Sequence, residues 1–200
     1  MTPLVLIRHG PTQWNLDGRI QGRADPPLAP EGRATVSAWR LPPELTGAQA
    51  GDWTWLASPL ARAQETAALL TDRAVTSEAA LIEMDWGAWE GRRLADLRAE
   101  GGAAMVAAEA RGLDFQPPGG ESPRLVQDRL QPLLGRLAAL GRPVVAVTHK
   151  GVIRALYAQA RGWDMTGRAP EKLRDGCAHR FFLGPNGAPE TDQLNLPLAS

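Results

Sequence analysis

Two short stretches pair an imidazole with a neighbouring cation and a glycine at the end of an apolar run. Leu4-Val5-Leu6-Ile7 leads into Arg8-His9-Gly10, and Pro143-Val144-Val145-Ala146-Val147-Thr148 leads into His149-Lys150-Gly151. These are two of the three histidines in 200 residues. Imidazole offers a nucleophile or a hydrogen-bond donor near neutral pH, and guanidinium grips phosphate through a rigid fork of donors. A third cation, Arg62, follows the extended run Trp53 to Ala57 and a Ser58-Pro59 pair. If the three run ends lie together, they form an anion-selective pocket suited to phosphoryl transfer. There positioned cations can stabilise the charge that spreads over the equatorial oxygens.

The elements that must position these residues read as alternating strands and helices. Extended runs are expected at 3 to 8, Trp53 to Ala57, Val75 to Ser77 and 143 to 148. This pattern predicts a three-layer α/β/α fold around a mainly parallel sheet, in one domain over residues 1 to 200. In such a sheet, ligands bind beyond the carboxyl ends of the strands. Ser58-Pro59 reads as the cap and first residue of a helix carrying Arg62, and Ser122-Pro123 opens another. The second has Leu130, Leu133, Leu134, Leu137 and Leu140 as its stripe, a kink at Pro132 and an end at Gly141. A third begins near Gly151 and buries Val152, Ile153, Leu156 and Ala160. Ala178 to Leu183 and Gln193 to Leu196 form a hairpin across Pro185-Asn186-Gly187, with His179 as a structural strand residue.

Composition narrows the partners. Lys plus Arg and Asp plus Glu both number 22, so the mean charge argues against nucleic acid and against a membrane surface. One cysteine, Cys177, excludes an intramolecular disulfide, and no cluster has the spacing of a zinc site. With no secretory leader and no membrane-length apolar stretch in the sequence, the expectation is a cytoplasmic protein without a metal or other cofactor. Its partner is a small-molecule phosphate ester, and its oligomeric state is left open.

Six blocks together resemble the histidine phosphatase superfamily, which includes the phosphoglycerate mutase-like enzymes. They are Leu6 to Asn15, Gly18 to Leu28, Ser58 to Ala67, Glu83 to Gly91, Gly119 to Ser122 and Thr148 to Gly151. The resemblance implies that His9 attacks phosphorus and becomes a phosphohistidine, while Arg8, Arg62 and His149 bind the transferring group. Cationic neighbours would keep His9 neutral, and His149 would donate a hydrogen bond, a protonated ring being one way to do so. Glu83 matches the residue that protonates the leaving oxygen and then activates water, in preference to nearby Asp85 and Glu90. Asn15 would add a donor to the phosphate, and Gln21, Gly22, Asp85 and Trp86 would shape the leaving-group side. Lys150 either binds a second anionic group of the substrate or points to solvent. Trp14, Trp86 and Trp89 either wall the pocket or anchor loops, and Glu121-Ser122 either organises the pocket or caps a helix.

Within that family the chain reads as a phosphomonoesterase, with a phosphoglycerate mutase-type phosphoryl transferase as the alternative and a catalytically silent phosphate binder behind both. The chain shows no long insertion to cover the site, and Asp85 to Gly91 is similar to the phosphatase branch. Other phosphatase chemistries lack their residues: Leu183 stands where a cysteine phosphatase would need arginine after Cys177, and there is no Asp-x-Asp pair or phosphate-binding Walker loop.

Overall fold

The computed structural model describes residues 1–42 and 53–198. Its strands are β1 (Thr2–Arg8), β2 (Thr54–Ala57), β3 (Val75–Ser77), β4 (Val144–Thr148), β5 (Cys177–Leu183) and β6 (Pro189–Pro197). They form one sheet in the order β3-β2-β4-β1-β5-β6. The first four are parallel to one another, and β5 and β6 add an antiparallel edge. The α-helices are α1 (Gln13–Leu16), α2 (Pro30–Ala38), α3 (Ala61–Leu70), α4 (Leu94–Glu109), α5 (Pro123–Leu140) and α6 (Lys150–Arg161).

The central strands are apolar at consecutive positions because both faces of the sheet are covered. Leu4, Leu6, Leu56, Val144 and Ala146 pack on one side with Leu130 and Leu134 of α5 and with Ile153 and Leu156 of α6. Their neighbours Val5, Ile7, Trp55, Ala57, Val145 and Val147 pack on the other with Ala63 and Ala67 of α3. This is the three-layer arrangement expected. No helix among the described residues is long and apolar enough to cross a membrane.

Helix α5 follows its sequence signals at both ends. Ser122 caps α5 by accepting from the Leu125 N–H at 3.2 Å, and Gly141 ends it in the left-handed region at φ 66°. Pro132, expected to mark a kink, lies inside an uninterrupted helical span. The expected cap of α3 is corrected. The helix begins at Ala61 after Leu60, without a side-chain cap from that residue, and the Ser58 hydroxyl accepts the Leu60 N–H at 3.3 Å while its carbonyl accepts from Gln64 Nε2 at 2.6 Å. Instead Asp25, from a distant loop, accepts the Ala61 N–H on both carboxylate oxygens, at 2.9 and 3.0 Å. The sequence carries no apolar stripe that announces α4, which is broken at Gly102 (φ 49°, ψ −129°) and braced across the break by Arg98 and Glu109 at 2.7 Å.

Candidate active site

Strand register sets the site. Arg8 of β1 pairs with Thr148 of β4, and Ala57 of β2 pairs with Val147, so His9, Ser58 and His149 leave the sheet side by side. The His9 N–H donates to the Thr148 carbonyl at 3.0 Å, and the Ser58 N–H donates to the Val147 carbonyl at 2.9 Å. The two imidazole centroids lie 5.1 Å apart. Thr66 of α3 accepts the Gly10 N–H at 2.9 Å and so ties the turn after His9 to the helix that carries Arg62.

His9 is 5% exposed, and its Nδ1 lies 2.7 Å from the Gly10 carbonyl oxygen. A carbonyl can only accept, so Nδ1 carries the proton and Nε2 keeps its lone pair. Burial first, then Arg8 and Arg62, hold this histidine well below its usual range near 6.5, against the opposing pull of the Gly10 carbonyl. The ring is therefore neutral at physiological pH. His149 is fully buried, with Nε2 2.7 Å from Ser58 Oγ. The Ser58 hydroxyl also accepts the Leu60 N–H at 3.3 Å, and when it gives its own proton to His149 Nε2 the neutral ring carries its proton on Nδ1. That Nδ1 has no partner among the described residues. Burial, followed by His9, Arg62 and Arg8, depresses this histidine as well, so the free protein holds a neutral donor and not an imidazolium.

The two arginines are aimed by acceptors distant in sequence. Arg62, 0% exposed, donates to the Ala24 and Gly22 carbonyls at 2.7 Å each, while its Nε has no partner among the described residues. Arg8 is held by Asp175 at 2.6 Å, and its Nε is likewise buried without a partner. Sequence reasoning missed Asp175, Asp25 and the Ser58 hydroxyl as positioning groups. Their partners are separated by tens of residues or more, and no spacing signals them.

Glu83 sits opposite, 8% exposed, at the start of α6. Its carboxyl accepts the Met84 N–H at 2.8 Å and the Gly151 N–H at 3.2 Å. Burial raises its pKa above the ordinary 4.5, while those two N–H groups and then Arg62 and Arg8 restrain the rise. A side chain at Gly151 would place its Cβ 2.4 Å from Glu83 Oε1, so the close approach requires glycine. The segment bearing Glu83 is fixed by Arg129 of α5, which donates to the carbonyls of Ala80 and Ile82, and by Thr148, which donates to the Leu81 carbonyl at 2.7 Å. Neither Asp85 nor Glu90 competes for this place. Asp85 accepts the Gly87 N–H at 2.8 Å and pairs with Arg23 at 3.3 Å, and it is not among the cavity-lining residues. Glu90 clamps the N–H groups of Arg23 and Ala24 at 2.7 and 2.8 Å.

Arg8, His9, Arg62 and Glu83 line a cavity of about 720 Å³ together with Asn15, Gln21 and Gly22, whereas the fully buried His149 is not among its lining residues. Thr12 orients two of the amides: Asn15 Oδ1 accepts its N–H at 3.0 Å, and Gln21 Oε1 accepts its hydroxyl at 2.8 Å. Their NH₂ groups are thereby left as the donors for the cavity. Gly22, at φ 55°, has Glu90 Oε1 1.9 Å from where a Cβ would stand. Trp86 and Phe115 both line the cavity with 6.0 Å between their centroids, whereas Trp89 packs on both and Trp14 packs near Gly91. Lys150 is exposed at the cavity's edge, 3.8 Å from Asp175. Helix α4 contributes Leu94, Arg98, Val106 and Glu109 to the cavity wall. Among the described residues no three His, Cys, Asp or Glu side chains gather where they could hold a metal ion.

Comparison with known proteins places the chain in a family. The sequence model of the histidine phosphatase superfamily (branch 1) matches residues 4–191. A 2,3-bisphosphoglycerate-dependent phosphoglycerate mutase of Methylobacterium radiotolerans is 37% identical over 164 residues, 76% of each chain. A glucosyl-3-phosphoglycerate phosphatase of Mycolicibacterium vanbaalenii is 35% identical over 179 residues, 80% of this chain and 74% of that one. The solved structure of a mycobacterial glucosyl-3-phosphoglycerate phosphatase with VO3 superposes with a TM-score of 0.78 at 29% identity, covering 100% of both chains. The chain therefore belongs to the histidine phosphatase superfamily, branch 1.

Proposed function

We propose that this protein is a phosphomonoesterase that hydrolyses small phosphate esters through a phosphohistidine on His9, in the cytoplasm and without a metal cofactor. The observation that carries the reading is the 2.7 Å contact of His9 Nδ1 with the Gly10 carbonyl, which leaves Nε2 unprotonated. Arg8, Arg62, the His149 Nδ1–H and the Asn15 amide supply the positive charge and donors for the transferring phosphoryl group, a role that bound metal ions fill in other phosphatases.

In the first step Nε2 attacks phosphorus in line with the ester oxygen, forming the N–P bond as the P–O bond breaks. The leaving oxygen takes the proton of Glu83, whose pKa is raised by burial. In the second step the Glu83 carboxylate accepts a proton from water as that water attacks the phosphohistidine. His9 departs with its lone pair, and inorganic phosphate is released. The cavity is far larger than a phosphoryl group, so it admits both a varied alcohol and the water for the second step.

Mutase chemistry shares the first step and returns the phosphoryl group to an alcohol; the similarity to the Methylobacterium enzyme makes it the second reading. Incubating the protein with phosphoglycerate labelled in its phosphate separates the two. The proposal expects free phosphate to accumulate with little isomerised ester. Rapid isomerisation with little phosphate would establish the mutase, and tight binding with no turnover would establish a silent binder.

A further inference from the structure

Arg8 and Arg62 are held in different ways. Asp175 contacts Arg8 directly at 2.6 Å, whereas Arg62 meets Asp25 only at 3.6 Å and is gripped instead by the Gly22 and Ala24 carbonyls at 2.7 Å each. A guanidinium held by carbonyls keeps its charge for an anion. Two loop carbonyls can aim it, however, only if the loop itself is fixed.

Glu90 fixes that loop. Its Oε1 accepts the Arg23 N–H at 2.7 Å and its Oε2 the Ala24 N–H at 2.8 Å, across 67 and 66 residues of sequence. Oε1 also accepts the Trp86 N–H at 3.3 Å. A carboxylate that merely closed its own turn would need only this last bond, four residues away; the two shorter ones go to the loop. Gly22 permits the approach, because at φ 55° it lacks the Cβ that would stand 1.9 Å from Glu90 Oε1. The Gly22 carbonyl and the Arg23 N–H belong to one planar peptide unit. Glu90 therefore holds one end of the unit whose other end holds Arg62, and hydrogen bonds in such a chain polarise one another. Burial disfavours the Arg62 charge, and Glu83, Asp25 and then Glu90 offset part of that cost.

Resting on the reading of Arg62 as a ligand of the transferring phosphoryl group, we propose that Glu90 is a positioning residue that aims Arg62 at phosphate through the Gly22–Arg23 peptide. It acts on the phosphoryl group without touching it, and on every substrate alike.

A double-mutant cycle on the binding of orthovanadate, a phosphate analogue, tests this by calorimetry. Glu90→Gln keeps the side chain's size and one acceptor oxygen but sets an amide against the loop N–H groups. It should weaken vanadate binding about tenfold, the scale of one charge-assisted hydrogen bond. In an Arg62→Lys background, which lacks the fork that is aimed, the same substitution should cost little more. Arg23→Met removes the loop's ion pairs with Asp85 and Glu121 but leaves its N–H groups, and should bind nearly as wild type does. Gly22→Ala, which displaces the Glu90 carboxylate, should reproduce the Glu90→Gln loss and needs no Arg62 variant to fold. In turnover, Glu90→Gln should lower kcat/KM by a similar factor for alkyl phosphates and for p-nitrophenyl phosphate, in contrast to loss of a proton donor. Equal losses from Glu90→Gln in both backgrounds, an equal loss from Arg23→Met, or wild-type affinity in Gly22→Ala would overturn the relay. If Arg62→Lys binds vanadate as wild type does, Arg62 is no phosphoryl ligand and the relay falls with that reading. If the coupling appears in a protein that hydrolyses no ester, the phosphatase reading fails and the relay stands.

Discussion

His9 and Glu83 occupy environments that move their proton affinities in opposite directions, the imidazole down and the carboxyl up, each chiefly by burial. The pair is thus shifted toward a neutral nucleophile and a carboxyl that keeps its proton to higher pH than a free one. Glu83→Gln tests the second half, because proton donation matters most for a poor leaving group. For alkyl phosphates kcat/KM should fall by about 10²-fold or more, and for p-nitrophenyl phosphate, whose phenolate leaves unaided, by much less. The alkaline limb of the kcat/KM profile, where Glu83 loses its proton, should disappear with the substitution. A uniform loss across both substrates would remove Glu83 from the acid role. His9, Arg62, Glu83 and His149 were legible in the sequence because they sit in short blocks with recurring neighbours. Asp175 was not: it is 167 residues from Arg8, and a lone aspartate before Gly176 gives no sign of the ion pair that β1 and the turn before β5 create.

At the scale of elements, helix starts do the positioning. The α3 start carries Arg62 and receives Asp25, and the α6 start presents the Gly151 N–H to Glu83. Gly151→Ala separates helix stability from chemistry, since alanine is favoured over glycine within a helix by about 1 kcal/mol yet its Cβ would intrude on the carboxyl. The variant should show the same leaving-group-dependent loss as Glu83→Gln, with the intrusion on the buried carboxyl offsetting what alanine adds to the helix. A lower melting temperature with unchanged substrate discrimination would contradict this placement. The buried strands and α5 could be read from apolar runs and from the Ser-Pro and Gly boundaries. The Ser58-Pro59 signal misled because that serine's hydroxyl serves His149, and a remote aspartate takes the cap. Helix α4 was invisible because its Ala and Gly residues bury little more than Leu97 and Met105 and make no stripe.

For the whole molecule, gathering neutral histidines in the interior ties stability to pH. His9 and His149 lie well below 6.5 and His179 is at about 4, all depressed mainly by burial. A histidine with a depressed folded pKa leaves the unfolded chain binding more protons below pH 6.5. Its stabilising effect is therefore complete above that pH and is lost as pH falls toward the folded value, by about 1.4 kcal/mol per unit for each proton. Glu83, raised in the fold, acts in the opposite sense as it protonates, so three groups outweigh one. Urea unfolding at pH 7 and pH 5.5 should show a clear loss at the lower pH, and inorganic phosphate should restore part of it by binding the folded form. A stability that rises between pH 7 and 5.5 would mean that these histidines are not held neutral.

The central claim is that His9 Nε2 takes the phosphoryl group, and trapping the intermediate tests it most directly. Wild-type protein mixed with a phosphate ester and quenched within its first turnovers, then digested and read by mass spectrometry, should carry one acid-labile, base-stable phosphoryl group on the peptide containing His9, absent from His9→Ala. A phosphoryl group on another residue, or one that survives in His9→Ala, would contradict the account.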